Sequence, residues 1–171
     1  MADKLKITSW NVENLDRLVG DNLDSTKLKR REAIAQQIEQ MSPDILCLLE
    51  GPKGEEAIDK VTTEVLEGEY QAIKASDRDY QIKGIQWIWF LVKTSLADRA
   101  SLLPAETWNQ LTSKTWQVNY WGEEQTSRHS HYRHPQVLVL NWQGQRIEFI
   151  GLHLKSKYVN RGESNWNAGG D

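Results

Sequence analysis

Hydrophobic and polar positions along the first third of the chain follow two periods, one typical of strands and one typical of helices. Residues 5–12 are β-branched and apolar with partial alternation, which predicts a strand. Apolar side chains at helical spacing predict a helix over residues 26–41, which ends before Pro43 because a residue preceding proline is pushed out of the α region. Residues 45–49 form an unbroken apolar run, as expected of a strand buried on both faces.

The rest of the chain predicts one more helix and then mainly strands. Residues 55–66 have a helical apolar stripe, and residues 104–111 are expected to form one or two helical turns. Strands are predicted over residues 70–74, 85–93, 99–103, 137–142 and 146–152. Gln143-Gly144-Gln145 joins the last two strands and is typical of a hairpin. Early helix–strand alternation and a late hairpin together predict an α/β fold with a mixed sheet.

Composition and charge restrict the class of protein. The 171 residues correspond to a single domain that could bury roughly 70% of its unfolded surface. A net charge of −3 excludes a positive field over the whole chain, so any phosphate contact must come from a local patch. The single cysteine excludes an internal disulfide, and no apolar stretch reaches the roughly 18 residues of a membrane span. We therefore expect a cytoplasmic protein without a transmembrane segment.

Three polar residues share one arrangement, because each follows the carboxyl end of a predicted strand. These are Asn11, Glu50 and His153. A carboxylate after five apolar residues is costly to desolvate unless it is paired or binds a cation, and ligand crevices form at strand ends in α/β sheets. An amide oxygen beside a carboxylate suits Mg²⁺. The alternative is that Glu50 is simply the first exposed residue after a strand, and periodicity alone leaves that alternative open.

Residues 7–12, 43–50 and 151–157 resemble, in order and spacing, three motifs of the endonuclease/exonuclease/phosphatase superfamily. Tyr132-Arg133-His134-Pro135 precedes the late hairpin at the place of a fourth. The resemblance implies a four-layer α/β/β/α sandwich with mixed sheets and hydrolysis of phosphoesters that depends on Mg²⁺ or Mn²⁺. It implies nucleic acid, a phosphorylated small molecule or a lipid as the substrate, without distinguishing among them.

The same resemblance implies roles for six residues of this chain. Glu50 would be the metal ligand, with Asn11 beside it as a second metal and catalytic residue. His153 would be a catalytic histidine that contacts or orients the phosphate. The implied phosphate and substrate contacts are Arg133, Lys155 and Ser156.

The chain departs from the superfamily pattern in its second half. Members carry an Asp-x-Asn motif and a terminal Ser-Asp-His motif there, whereas this sequence has no Asp between Asp98 and Asp171 and no His after His153. We therefore expect residues 1–171 to form a single incomplete domain whose second half is largely missing and whose hydrolysis is impaired. Residues 167–171 are expected to be a divergent, flexible tail. A natural truncation and a reading-frame artefact both remain open.

Three further expectations follow. The alternative to an enzyme is a catalytically inactive fragment or an α/β binding module with weak metal or phosphate affinity. An incomplete sandwich would expose the apolar side chains of strands 85–93 and 137–142 and would favour self-association. Residues 128–134 are expected to form an exposed loop, in which His129, His131 and His134 are either a metal site or a polar surface cluster.

Overall fold

The computed structural model describes residues 4–20, 22–76, 80, 86–119, 126–130 and 133–154. Within those residues it contains three α-helices and nine strands, with short 3₁₀ turns between some of them. The helices are α1 (Ser25–Met41), α2 (Glu55–Lys60) and α3 (Glu106–Thr112). The strands are β1 (Ile7–Asn11), β2 (Ile45–Gly51), β3 (Tyr70–Ala72), β4 (Trp87–Lys93), β5 (Ala100–Leu102), β6 (Thr115–Asn119), β7 (Thr126–Ser130), β8 (Gln136–Trp142) and β9 (Gln145–Gly151).

The first sheet has four strands in the order β1-β2-β4-β3. β1 and β2 are parallel, whereas β4 runs antiparallel to both of its neighbours, so the sheet is mixed as predicted. A parallel pair needs a crossover connection, and α1 supplies it. The helix begins after Asp24, whose side chain accepts a hydrogen bond from the backbone nitrogen of Lys27 at 2.9 Å. This crossover brings the carboxyl ends of β1 and β2 to one edge.

Helices cover one face of the first sheet. α2 continues as one π-helical stretch, Val61–Val65, and together with α1 it packs apolar side chains against alternate residues of β2 and β4. The fully or largely buried members of this contact are Ile34, Ile38, Leu46, Leu48, Ile58, Val61, Trp89 and Leu91. The alternation of β2 therefore assigns its even-numbered residues Leu46 and Leu48 to the helical layer.

The second sheet covers the opposite face of the first. It is antiparallel, in the order β5-β8-β9, and it packs Leu138 and Leu140 of β8 against the first sheet. The first sheet contributes Ile45, Cys47, Ile88, Phe90 and Val92 to this core. Helices, first sheet and second sheet thus lie in succession, which confirms the predicted mixed α/β class; a helical layer outside the second sheet stays a prediction.

The prediction that strands 85–93 and 137–142 expose their apolar side chains is wrong. The apolar side chains of β4 and β8 are buried, because the two sheets cover each other. The large apolar side chains that are exposed near the end of the described chain lie elsewhere, at Ile150, Leu152 and Leu154. Self-association through β4 and β8 is therefore not expected.

The exposed loop expected over residues 128–134 is also wrong in part. Residues up to Ser130 belong to β7, which pairs with β6 in a two-stranded antiparallel sheet. Polar residues make up most of both strands, so no apolar alternation in the sequence marks this pair. None of the helices that the structure describes is both long enough and apolar enough to cross a membrane.

Candidate functional site

Strand pairing brings Asn11 and Glu50 to the same edge of the first sheet. Asn11 is the last residue of β1 and pairs with Leu49 of β2, so Glu50 lies one position further along the parallel neighbour. The antiparallel β4 begins at this edge, because Trp87 pairs with Gly51. Gln86, the residue before β4, therefore also lies at this edge.

A β-bulge directs the side chain of Glu50. Leu48 pairs with Trp89 and Gly51 with Trp87, so Leu49 and Glu50 together oppose one residue of β4. Glu50 has a φ of 60°, in the left-handed region that non-glycine residues rarely occupy. Bulges and left-handed residues recur at functional sites because they turn a side chain away from the ordinary strand direction.

Three side chains surround the Glu50 carboxylate. The Nδ2 of Asn11 donates to Oε1 at 3.2 Å, and the Nε2 of Gln86 donates to Oε2 at 2.9 Å. The Nε2 of His153 lies 3.5 Å from Oε1. The Glu50 and His153 side chains are only 16% and 14% exposed, so the group is largely screened from water yet reaches the surface.

The turn after β1 fixes the orientation of the Asn11 amide. Its Oδ1 accepts a hydrogen bond from the backbone nitrogen of Glu13 at 3.1 Å, which leaves Nδ2 for Glu50. Glu13 and Asn14 both have left-handed backbones, and Arg30 of α1 donates to the carbonyl oxygens of Val12 and Glu13. In this arrangement Asn11 orients the carboxylate of Glu50, and its role as a metal ligand stays a prediction.

His153 reaches the site from the second sheet. It follows β9 by two residues, and Gly151 at the end of that strand lies against the first sheet. A Cβ on Gly151 would lie 3.1 Å from Ile88 and 3.2 Å from the Sγ of Cys47, so the absent side chain lets the sheets approach closely at this point. The position of the imidazole therefore depends on the packing between the sheets.

The environment of His153 favours its neutral form. Burial, and then the positive charge of Arg133, lower the pKa of the imidazole from its ordinary value of 6.5, against an opposing contribution from Glu50. Its Nδ1 is buried and has no hydrogen-bond partner among the residues that the structure describes. A neutral imidazole can donate one hydrogen bond to a ligand without adding charge.

Arg133 lies just before β8, which begins where its antiparallel partner β9 ends. Its Nη2 donates to the Oε1 of Gln86 at 2.8 Å, and its Nε donates to the backbone oxygen of Gln86 at 3.3 Å. The guanidinium is thereby held one side chain away from Glu50. Its charge acts on His153 as well, so it belongs to the same group.

The structure brings together four of the six residues that the sequence singled out: Asn11, Glu50, Arg133 and His153. Lys155 and Ser156 lie outside the described residues. Gln86 was missed because the apolar pattern placed it inside the predicted strand 85–93, whereas it lies just before β4. We name these five side chains, Asn11, Glu50, Gln86, Arg133 and His153, the edge cluster.

The histidine-rich stretch does not join the edge cluster through His134. This side chain is buried, and its Nδ1 lies 2.5 Å from the Oγ1 of Thr112 at the end of α3. His129 lies in β7, and His131 lies outside the described residues. For His134 these contacts indicate a structural role in joining α3 to the start of β8.

Glu50 is the anionic donor of the edge cluster. Among the described residues there is no group of three or more His, Cys, Asp or Glu side chains placed to hold a metal ion. Mg²⁺ commonly keeps several waters and binds one or two carboxylates, with substrate oxygens completing its shell. Glu50 would be the one protein carboxylate of such a site, and its role as a metal ligand stays a prediction.

The chain is similar to several solved structures, whereas no protein-family model and no curated protein matches it. TDP2 from C. elegans matches with 22% identity and a TM-score of 0.46, over 90% of this chain and 36% of that chain. D. rerio TDP2 complexed with single strand DNA product matches with 17% identity and a TM-score of 0.49, over 98% of this chain and 52% of that chain.

A third similar structure is an endonuclease/exonuclease/phosphatase family protein from Leptotrichia buccalis C-1013-b. It matches with 13% identity and a TM-score of 0.48, over 89% of this chain and 55% of that chain. The chain thus spans between 36% and 55% of the length of these three structures. The name of the third is that of the superfamily which the sequence motifs resemble.

Proposed function

We propose that the edge cluster is the metal- and phosphate-binding part of a phosphoesterase of the endonuclease/exonuclease/phosphatase type. The observation that supports this proposal is the convergence of Asn11 and His153 on Glu50. The Nδ2 of Asn11 lies 3.2 Å and the Nε2 of His153 lies 3.5 Å from the same carboxylate oxygen, Oε1. The three residues come from separate motifs that are spread over 142 positions of the chain. Residues that share one chemical role must lie close together in the fold, and these residues from three motifs do so.

In this proposal Glu50 holds the divalent cation and Asn11 keeps the carboxylate oriented toward it. When bound, Mg²⁺ would supply a Lewis acid that offsets charge on a phosphoryl oxygen. Two amide donors already fix both carboxylate oxygens, so Glu50 needs little reorganisation to bind. Preorganised polar groups of this kind contribute strongly to catalysis because they cost no rearrangement during the reaction.

Arg133 and His153 would act on the phosphate. The guanidinium supplies positive charge beside the carboxylate, and the imidazole supplies one hydrogen-bond donor in a neutral form. Lys155 and Ser156 remain predicted phosphate contacts. Nucleic acid, a phosphorylated small molecule and a lipid all present the same phosphoester group to this set of side chains, and a cytoplasmic location remains part of the proposal.

We expect hydrolysis by this chain to be slow. The superfamily motifs that orient and activate the attacking water have no counterpart in the sequence after His153. Loss of a general acid–base group alone costs about 10² to 10⁴ in rate. Binding of the cation and of phosphate depends on the edge cluster and is expected to persist.

Hydrolysis of bis-nitrophenyl phosphate with and without Mg²⁺ tests the proposal. We expect slow, magnesium-dependent release of nitrophenolate that falls at least about 100-fold in Glu50→Ala, because the metal ligand is lost. Glu39→Ala is the matched control, since Glu39 is an exposed carboxylate on α1 away from the cluster. Equal rates in wild type and Glu50→Ala would contradict the proposal.

A second candidate is a fragment or binding module that binds metal or phosphate without turnover. It is favoured because Glu50 is the one carboxylate of the edge cluster, which contains no second carboxylate to activate water among the residues that the structure describes. Calorimetric titration with Mn²⁺, read together with the hydrolysis assay, distinguishes a phosphoesterase, a module that binds metal without turnover, and an α/β module without metal affinity. Heat that Glu50→Ala abolishes, without hydrolysis, would identify the binding form, and absence of heat in the wild type would leave an α/β module without this chemistry.

A further inference from the structure

Gln86 links two side chains of opposite charge. Its Nε2 donates to the Oε2 of Glu50 at 2.9 Å, while its Oε1 accepts from the Nη2 of Arg133 at 2.8 Å. A carboxylate only accepts hydrogen bonds and a guanidinium only donates them, so the orientation of the amide between them is determined. A second bond, from Arg133 to the backbone oxygen of Gln86, fixes the guanidinium to the same residue.

The amide of Gln86 is bonded at one end to Glu50 and at the other to Arg133, so it lies between two groups that attract each other. Guanidinium and carboxylate form strong bidentate hydrogen bonds. A carboxylate paired directly with a guanidinium lies against a positive charge, which repels a second cation, whereas the neutral amide donors of Asn11 and Gln86 do not. Direct pairing would therefore compete with divalent metal at Glu50.

The backbone explains why Glu50 needs such an anchor. The bulge and the left-handed φ of Glu50 take its side chain out of the regular strand pattern, so sheet pairing alone does not set the direction of the carboxylate. Asn11 holds one oxygen and Gln86 the other. Gln86 is set in turn by β4, whose first residue pairs with Gly51 immediately after Glu50.

We propose that Gln86 is a positioning residue that separates Arg133 from Glu50 and keeps the carboxylate available to a divalent cation. This inference rests on the proposed function, since it assigns Glu50 the metal. Glutamine suits the position because it is neutral and carries a donor and an acceptor at opposite ends of one amide. Glutamate would repel Glu50, and an apolar side chain would leave the two charges free to meet.

The test is a double-substitution cycle read by calorimetric titration of the full chain with Mn²⁺. Gln86→Met keeps the side-chain length and removes both hydrogen bonds, and we expect it to weaken Mn²⁺ binding about 10- to 100-fold, as for other residues that orient metal ligands. In an Arg133→Gln background the same substitution is expected to weaken binding less than about 3-fold, because no guanidinium remains to pair with Glu50. If Gln86 had only a structural role, its substitution would reduce the affinity for Mn²⁺ by the same factor in both backgrounds.

Controls make failure of this inference distinct from failure of the proposed function. Gln71→Leu changes an exposed glutamine of β3 and should leave Mn²⁺ binding unchanged. If Gln86→Met does not fold, as judged by circular dichroism, Gln86→Asn replaces it, because the shorter amide cannot reach both partners. Equal losses in both backgrounds, or no loss, would overturn the inference while the wild type still binds Mn²⁺. No binding by the wild type would overturn the proposed function as well.

Discussion

The amide nitrogen of Asn11 donates to the carboxylate of Glu50 at 3.2 Å, although the two residues are 39 positions apart. The parallel pairing of β1 with β2 produces this contact, because it places the ends of both strands at one edge of the sheet. The contact joins the first two sequence motifs into a single polar group. It is also the part of the edge cluster that a small substitution can probe most directly.

Asn11→Asp should destabilise the metal-free protein and increase its response to Mg²⁺. The substitution replaces a donor with a second carboxylate, which repels Glu50, and we expect a loss of about 1 to 2 kcal/mol in unfolding free energy. Thermal melting with EDTA and with Mg²⁺ measures both effects. Asn11→Ala is the control, because it removes the donor without adding charge. A magnesium-induced rise in melting temperature no larger than that of the wild type would contradict the prediction.

The stability of the protein should decrease as the pH falls below about 6.5, in part because of His153. Its folded pKa lies below the ordinary value of 6.5, so the unfolded chain takes up a proton first as the pH falls. The contribution of neutral His153 to the free energy of unfolding is fully present above the ordinary pKa. It is lost as the pH falls from there toward the lowered pKa of the folded state. Replacing the imidazole with an amide removes this proton-linked loss.

Melting temperatures of the wild type and of His153→Asn at pH 7.5 and at pH 5.5 measure this contribution. We expect the advantage of the wild type to be larger at pH 7.5 and to narrow at pH 5.5. EDTA should be present throughout, so that metal binding at Glu50 does not contribute. A difference that is independent of pH, or that grows toward acid, would show that His153 is not held neutral.

Gly51→Ala should destabilise the first sheet by roughly 1 to 3 kcal/mol, because the core next to this glycine is already filled. A Cβ at position 51 would lie 2.6 Å from the Cδ1 of Trp89. That ring is 1% exposed, and its Nε1 donates to the backbone oxygen of Pro52 at 2.8 Å, so it cannot move aside.

Urea unfolding measures the cost of Gly51→Ala in two backgrounds. With Trp89→Leu the indole is gone, and the same glycine substitution should cost less than it does in the wild type. If the losses in unfolding free energy are additive, the cost of the alanine does not come from a clash with the indole, and the backbone has moved to accommodate the new side chain.

Ile150, Leu152 and Leu154 should mediate weak self-association. They lie at alternate positions and are 58%, 48% and 75% exposed, at the edge strand β9 and just beyond it. Alternate positions of a strand share one face, and we expect Leu152 and Leu154 to continue the exposed face of Ile150 as an apolar row. Sedimentation over a range of concentrations should show a dimer that Ile150→Lys weakens at least about 10-fold.

Leu111→Lys provides the matched control for that measurement. Leu111 is 56% exposed on α3 and lies outside the row, so the same change in charge there should leave the association unaffected. A wild-type chain that stays monomeric at every concentration would contradict the prediction, as would equal effects of the two lysine substitutions.

The sequence predicted the elements whose burial is periodic. α1 and β2 have clear apolar patterns because each packs against a well-defined neighbour, and their observed bounds differ from the predicted ones by a residue or two. The β6–β7 pair was missed because most of its residues are polar, so no apolar pattern in the sequence marks it. Hydrophobic periodicity reports packing and is weak wherever a strand pairs without packing.

The edge cluster was predictable to the extent that its residues follow strands in recognisable motifs. Asn11, Glu50 and His153 do so, and Arg133 lies in a fourth, weaker motif. Gln86 was not recognised because its role depends on which two side chains the bulge and the sheet pairing place on either side of it. Hydrogen bonds between distant segments leave no local pattern in a sequence.

The close approach of the two sheets at Gly151 has a consequence for how the protein would lose the proposed binding of metal and phosphate. Asn11, Glu50 and Gln86 belong to one sheet, and Arg133 and His153 belong to the other, so neither sheet carries a whole site. A slight separation of the two layers would pull the imidazole away from the carboxylate while every strand remained paired with its neighbours. The proposed Mn²⁺ binding should therefore disappear at milder denaturant or temperature than the circular dichroism signal of the backbone.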